Sequence, residues 1–365
     1  MSNDSVALVL SAGGIRGASY IGAIEAMEEY GIIPDIVVGA SSGAFFGSVY
    51  ASGMDVKTMR KLAIQLARRG KRGFADVNYR GILQALIPRS RHHLSGLFKG
   101  DIIQRTAEEN LMYIKTFGDY TALSREERRA KGIKDLYIVT VNLYDGKETV
   151  LCDTSNLQLN EIGEYNGIRC CNKMPLSQAI RHSFALPVIF TPSHCKPKYG
   201  ADPCPCAMVR PQPDSLEYYI DGGSRDAYPI AVAAKIAKAK KVIGISLEST
   251  EPKPLLSLIP GNILHVAFRA IAIIGESQFE AACKKDEFTD ASVLTINPLI
   301  SNMSVFEVSM VEKLIKRGYE AVSYCFRSKG LVKGDTSVNL NRLFARSPGV
   351  KEVYYPPLDP LRYES

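Results

Sequence analysis

Gly39-Ala40-Ser41-Ser42-Gly43 sets a serine at the centre of a G-x-S-x-G pentapeptide, and acyl transfer is the chemistry such a serine can do. On a sharp strand-to-helix turn the hydroxyl stands clear of the backbone, and flanking glycines remove the Cβ atoms that would crowd so tight a bend. The pentapeptide is short, so its weight comes from its context. Asp35 to Val38 reads as a buried strand before it and Gly43 to Ala51 as a helix after it. An ordinary Gly/Ser loop is the plainer alternative. Ser42, the adjacent hydroxyl, is expected to serve packing or capping.

A second cluster, Gly13-Gly14-Ile15-Arg16-Gly17, lies between a first apolar run and its helix. Glycines there let successive amides point into one volume at the positive end of a helix dipole, a place that stabilises an anion. The anion could be the tetrahedral oxyanion of acyl transfer or a dinucleotide phosphate. Dinucleotide binding needs G-x-G-x-x-G spacing and an acid ending the second strand, whereas here the glycines are adjacent and Val37-Val38 runs into the elbow. A plain tight turn is the remaining alternative. Arg16 can brace the loop from outside or meet a phosphate headgroup, and bracing suits so tight a turn better.

A serine hydroxyl needs a base within hydrogen-bond reach. Of the five histidines, His92, His93, His182, His194 and His265, only His265 lies downstream of the best acid, in the apolar helical run Ile263 to Phe268. A catalytic histidine is expected on a loop, so His265 is the weaker candidate. Asp221-Gly222-Gly223 follows the strand-like Leu216 to Ile220. A carboxylate at a strand end beside glycines can face a nucleophile from a neighbouring strand. Asp221 is either that base or a turn aspartate capping its own loop.

The elements that must position these residues alternate. Val6 to Leu10 is an apolar run, and Tyr20, Ile21, Ile24 and Met27 mark a helix ended by Gly31 and Pro34. This β-α-β-α opening favours a mostly parallel sheet covered by helices. Further strands are expected at Leu136 to Leu143, Glu148 to Cys152, Lys241 to Leu247 and Ser292 to Ile296, and helices at Asn262 to Lys284 and Val305 to Cys325. Tyr354-Tyr355-Pro356-Pro357 reads as an extended tail.

The chain has 365 residues, 46% of them hydrophobic and 23% charged, a balance that excludes disorder over most of its length. Residues 1–328 are expected to form one domain, with insertions near 55–100 and 193–215 and an extension over 329–365. Neither a signal peptide nor a transmembrane run is visible, so a cytoplasmic protein, able to sit peripherally on a membrane, is expected. Between Asp55 and Gly100 eleven Lys or Arg face two acids, against a whole-chain charge of +7. Lys57, Arg60, Lys61 and Arg68 share one side of a helix whose other side holds Met59, Leu62, Ala63 and Leu66. Such a face is either merely solvated or drawn to anionic headgroups. No nucleic-acid module accompanies it, and no nucleic acid is expected as partner.

The three glycine-rich motifs resemble those of the patatin-like phospholipase family. Gly13-Gly14-Ile15-Arg16-Gly17 is similar to its oxyanion motif, Gly39-Ala40-Ser41-Ser42-Gly43 to its nucleophile motif, and Asp221-Gly222-Gly223 to its D-G-G/A motif. Ser183-Phe184-Ala185-Leu186-Pro187 and Arg317-Gly318-Tyr319 add weaker similarities. The resemblance implies a three-layer α/β/α sandwich and a Ser41–Asp221 dyad without a catalytic histidine. It further implies hydrolysis of phospholipid or lysophospholipid esters with no cofactor and no metal. Acyl transfer to another acceptor, or lipid binding without catalysis, are the alternatives. Ala12 and Ala227 depart from the family, which often has Gly and Asn there, and put loop geometry in question more than chemistry. Cys170, Cys171, Cys195, Cys204 and Cys206, with His182 and His194, are close in sequence, but their spacing fits no familiar zinc pattern. Free thiols are expected there.

Overall fold

A computed structural model describes residues 5–70, 76–79, 96–153, 168–169, 174–194, 198–199, 202–203, 218–247, 263–284, 290–300, 308–335, 340–344 and 351–356. β1 (Val6–Leu10) is buried at all five positions, as an inner parallel strand covered on both faces must be. A 3-10 turn (Gly14–Ala18) leads into α1 (Ser19–Glu29), then come β2 (Ile36–Ala40), α2 (Ser42–Ala51) and α3 (Val56–Arg68). Next are α4 (Asp101–Asn110), α5 (Arg125–Ala130), β3 (Asp135–Asn142), β4 (Glu148–Cys152), β5 (Ile168–Arg169) and α6 (Leu176–Ser183). Short strands β6 (Ser193–His194), β7 (Lys198–Tyr199) and β8 (Asp202–Pro203) precede β9 (Tyr218–Asp221). A π-helical turn (Val232–Ile236), β10 (Lys241–Ile245), α7 (Ile263–Lys284), β11 (Ser292–Ile296), α8 (Val311–Ser328) and β12 (Lys351–Tyr354) complete the described elements.

The main sheet runs β12-β11-β10-β1-β2-β3-β4-β5. Every pairing from β12 to β3 is parallel, and β4 is antiparallel to β3. Leu8, Leu10, Val37 and Ile138 point to one face, where α1, α2, α3 and α8 bury them. Ala7, Val9, Val38 and Val139 point to the other, against the π-helical turn and Phe279 of α7. Two apolar faces on alternating strand positions make the α/β/α sandwich and its mostly parallel sheet. The segment after residue 328 contributes to the body, because Lys351–Tyr354 pairs with β11 as an edge strand.

β9 carries the detail that matters for the site. On one edge of β3, β2 pairs as far as Ala40 opposite Val139. β9 takes over antiparallel from the next position, with Asp221 opposite Thr140 and Tyr219 opposite Asn142. The two strands thus meet head-on, and the residue leaving β2 adjoins the residue ending β9.

α3 forms as an amphipathic helix, capped by Asp55 accepting from the Thr58 amide, with Met59, Ala63 and Leu66 buried and Lys57, Lys61 and Arg68 exposed. Of the expected insertions, residues 71–75, 80–95, 195–197, 200–201 and 204–215 lie outside the described residues. No helix among the described residues is long and apolar enough to cross a membrane.

Candidate active site

β2 runs two residues further than its apolar pattern requires, so Gly39 and Ala40 belong to the strand and Ser41 alone makes the turn. Its φ of 54° and ψ of −119° are unfavourable for a side chain with a Cβ, a strain of about 1–3 kcal/mol that clusters at functional sites. Glycine is required on both sides. A Cβ at Gly39 would lie 2.4 Å from the Gly43 carbonyl carbon, and one at Gly43 would lie 2.1 Å from the Leu10 carbonyl oxygen. The Phe45 amide, donating to the Ser41 carbonyl at 3.1 Å, closes the first turn of α2.

A residue not singled out from the sequence holds the elbow. The Ser41 amide donates to Ser183 Oγ at 2.9 Å, and Ser183 Oγ donates to the Val139 carbonyl at 2.5 Å. Ser183 ends the buried helix α6, and its only sequence signal is its place at the head of the Ser183–Pro187 segment.

Ser41 Oγ donates to Asp221 Oδ2 at 2.5 Å, across 180 residues of sequence. The Gly223 amide donates to Oδ1 at 2.8 Å, so both carboxylate oxygens are engaged. Asp221 is 1% exposed. Burial pushes its pKa up to about 7, while the bonds from Ser41 and Gly223 pull the other way. A carboxyl at that poise can hold or release a proton near neutral pH, as a general base must.

No histidine among the described residues bonds to this pair. His182 is buried and shares its Nδ1 with Ser193 Oγ at 2.8 Å, its ring 4.6 Å from that of Tyr219. His194 is exposed beside Tyr218. His92 and His93 lie outside the described residues, as does the side chain of His265 at the start of α7.

The glycine loop wraps the elbow. A Cβ at Gly17 would meet Ser42 Cβ at 2.8 Å, and one at Gly223 would meet Ala12 Cβ at 2.7 Å, so all three glycine-rich motifs converge. Arg16 is buried, with Nε donating to the Gly13 carbonyl at 3.3 Å, which braces the loop from within the chain's own turn. Among the described residues the Gly13 and Gly14 amides make no hydrogen bond. The two departures from the family pattern are partners, since the Ala12 amide donates to the Ala227 carbonyl at 2.8 Å. α7 secures the same loop, with Gln278 Oε1 accepting from the Ala227 amide at 2.8 Å. Beside it, an apolar cleft opens between Ile15, Phe45, Phe46, Met59, Leu62 and Leu66.

Cys170, Cys171, Cys195, Cys204 and Cys206 lie outside the described residues. Among the described residues no three His, Cys, Asp or Glu side chains gather to hold a metal ion.

An α/β/α sandwich with a serine on a strained strand-to-helix turn has the geometry of a nucleophile elbow. A sequence model described as patatin-like phospholipase matches residues 8–234, more than half of the chain, and the chain belongs to that family. The uncharacterized protein YqhO of Bacillus subtilis is 29% identical over 246 residues, 67% of this chain and 71% of that one. The lysophospholipase NTE1 of Pyricularia oryzae is 32% identical over 164 residues, which cover 44% of this chain and 11% of the relative. That of Neurospora crassa is 51% identical over 69 residues, 19% of this chain and 5% of the relative. The chain therefore spans a small fraction of the fungal relatives' length. Among solved structures, VipD from Legionella pneumophila aligns with 16% identity and a TM-score of 0.43, covering 87% of this chain and 66% of that one.

Proposed function

We propose that the chain hydrolyses carboxylic esters of phospholipids or lysophospholipids, with Ser41 as nucleophile and Asp221 as base. The observation that supports this most is the 2.5 Å bond from Ser41 Oγ to a buried carboxylate whose pKa is raised to about 7. As Ser41 Oγ attacks the ester carbonyl, Asp221 takes its proton and negative charge forms on the carbonyl oxygen. Amides of the Gly13, Gly14, Ile15, Arg16 and Gly17 loop receive that oxyanion. Collapse breaks the ester bond, and the leaving alcohol takes the proton back from Asp221. Water then attacks the acyl-serine, again losing its proton to Asp221, and collapse breaks the acyl–Ser41 bond, freeing the fatty acid as Ser41 Oγ takes that proton back.

The cleft between Ile15 and Leu66 is lined by the apolar side chains an acyl chain prefers, but its volume of about 20 Å³ must widen to admit one. The name lysophospholipase, borne by the fungal relatives, favours a lipid with one acyl chain. Lys57, Lys61 and Arg68 on α3 suit an anionic membrane surface. Arg60 is partly committed elsewhere, at 3.3 Å from Glu25.

Fatty-acid release should be measured from a panel of phospholipids, lysophospholipids and glycerides with wild type, Ser41→Ala and Asp221→Ala. Both variants should lose about a thousandfold or more in kcat. Full activity in both would remove the dyad. Activity retained in Asp221→Ala but lost in Ser41→Ala and His265→Ala would move the base to His265.

A further inference from the structure

α7 connects β10 to the parallel strand β11, so it runs back along the sheet and begins at the end where Ser41 lies. Gln278 fixes its height. Its Oε1 accepts from the Ala227 amide at 2.8 Å and its Nε2 donates to the Ser224 carbonyl at 3.3 Å, both in the loop that follows Asp221. The Ala227 carbonyl in turn takes the Ala12 amide, just past the end of β1. After Gln278 the helix packs on the sheet through Phe279. Before it the helix rises beyond the strand ends, and at 1.5 Å per residue Ile263 stands about 22 Å from the level of Gln278.

This projecting half is apolar. Ile263 to Gly275 holds one charged residue, Arg269. Ile273 and Ile274 are 50% and 46% exposed, with Ala270 exposed one turn earlier. Further along the same face stand the exposed Ser277 and Glu280, so the outward face turns polar where the helix reaches the sheet. On the other side of the loop after Asp221, the β3–β4 turn carries exposed Leu143 and Tyr144. Tyr218 is exposed beside them, its carbonyl accepting from the Leu143 amide at 2.8 Å. Arg225 ties the loop to this turn, donating to the Gly146 carbonyl at 3.1 Å. Leu143 lies three positions past Thr140, the partner of Asp221, or about 10 Å further out. Two exposed apolar prominences thus flank the loop behind the candidate base, and patches of this kind mark a contact surface.

We propose that these two prominences enter a lipid surface and set the Ser41 end of the sheet against it. The choice of lipid rests on the reading of Ser41 as a lipid-ester nucleophile, because the substrate of a phospholipase resides in a bilayer or micelle and must be met there. Apolar side chains that enter an interface by about 5–10 Å, with tyrosines at the headgroup level, suit the reach of both prominences. A second copy resting on both would roof over the strand ends where a substrate must arrive.

The chain has no Trp, so a single introduced one reports its own surroundings. In the Ser41→Ala chain, which spares the lipid, Ile273→Trp and Tyr144→Trp should each move to shorter emission wavelength with phosphatidylcholine vesicles in high salt. Brominated phosphatidylcholine should quench both. Ile33→Trp, exposed just before β2 at the opposite end of the sheet, should do neither. Neutral lipid and salt set aside the cations of α3. Ile273→Asn combined with Ile274→Asn should lower partitioning into these vesicles about tenfold or more, with an unchanged circular dichroism spectrum. The proposal is overturned if either reporter ignores the vesicles, or if Ile33→Trp responds as they do. It is also overturned if sedimentation shows a dimer that shields Ile273→Trp without lipid, which gives the face to a second copy. Vesicle binding is read without turnover, so a failure to bind and a failure to hydrolyse are separate results.

Discussion

Asp221 combines two roles that oppose each other. Its pKa is raised from 3.8 to about 7 by burial. Hydrolysis of a soluble ester, read as kcat/KM, should therefore rise about tenfold per pH unit below 7 and level off above it. A flat profile through pH 7 would mean that another group is the base. Stability should follow the opposite course. A carboxyl whose folded pKa lies above its unfolded value leaves the fold at full strength below about 3.8, and weakens it as pH rises through about 7. Asp221→Asn, which carries no charge, should thus be more stable than wild type at pH 8, by up to about 4 kcal/mol, with the gap closing toward pH 4. Urea unfolding at the two pH values measures it, and an equal gap at both would exclude burial of the charge as the cause. Ser183 supports the neighbouring residue instead. Ser183→Ala would leave the Ser41 amide and the Val139 carbonyl unpaired, at about 1–3 kcal/mol each when buried. Steady-state kinetics should show kcat falling about tenfold with little change in KM, since the elbow moves while the cleft does not. Ser41 and Asp221 could be picked out as candidates by type and context, because a serine on a glycine-flanked turn and a carboxylate at a strand end carry local signals. Ser183 has no such signal. Its role arises only because α6 ends beside the elbow.

The elements were legible where their pattern is local. Ser292–Ile296 falls where its apolar run lies, and α3 follows its amphipathic spacing. The direction of β9 was not legible. β3 outlasts β2 by Thr140 to Asn142, and its free backbone groups there need partners. β9 supplies them antiparallel, a long-range solution that a four-residue strand cannot announce. α1 and α8 meet under a similar constraint. A Cβ at Gly318 would lie 1.8 Å from the Ser19 carbonyl oxygen, and one at Gly22 would lie 1.8 Å from the Ile315 carbonyl oxygen. Gly318→Ala should push the helices apart and destabilise the fold by about 1–3 kcal/mol, seen as a lower urea midpoint. An unchanged midpoint would show that the two helices can separate freely. The 3-10 turn packs against the same helix pair, so ester hydrolysis should fall along with stability.

Over the whole molecule the positive charge is uneven, with eleven cations and two acids between Asp55 and Gly100. Sedimentation with vesicles should show binding that grows with anionic lipid content and falls with salt. Lys57→Glu combined with Lys61→Glu should reduce it about tenfold or more, at about 1 kcal/mol for each basic residue near the surface. Binding indifferent to lipid charge and salt would locate any membrane contact elsewhere. By itself the sequence determined the α/β class and offered Ser41, Asp221 and the glycine loop as candidates, because hydrophobic period, turn residues and motif spacing act over a few neighbours. Tertiary structure alone decided that Ser41 and Asp221 lie 2.5 Å apart, that burial lifts Asp221 to about 7, and that Ser183 holds the elbow. Distance and burial depend on which strands become neighbours, and that order is set by packing of the whole sheet rather than by any one segment.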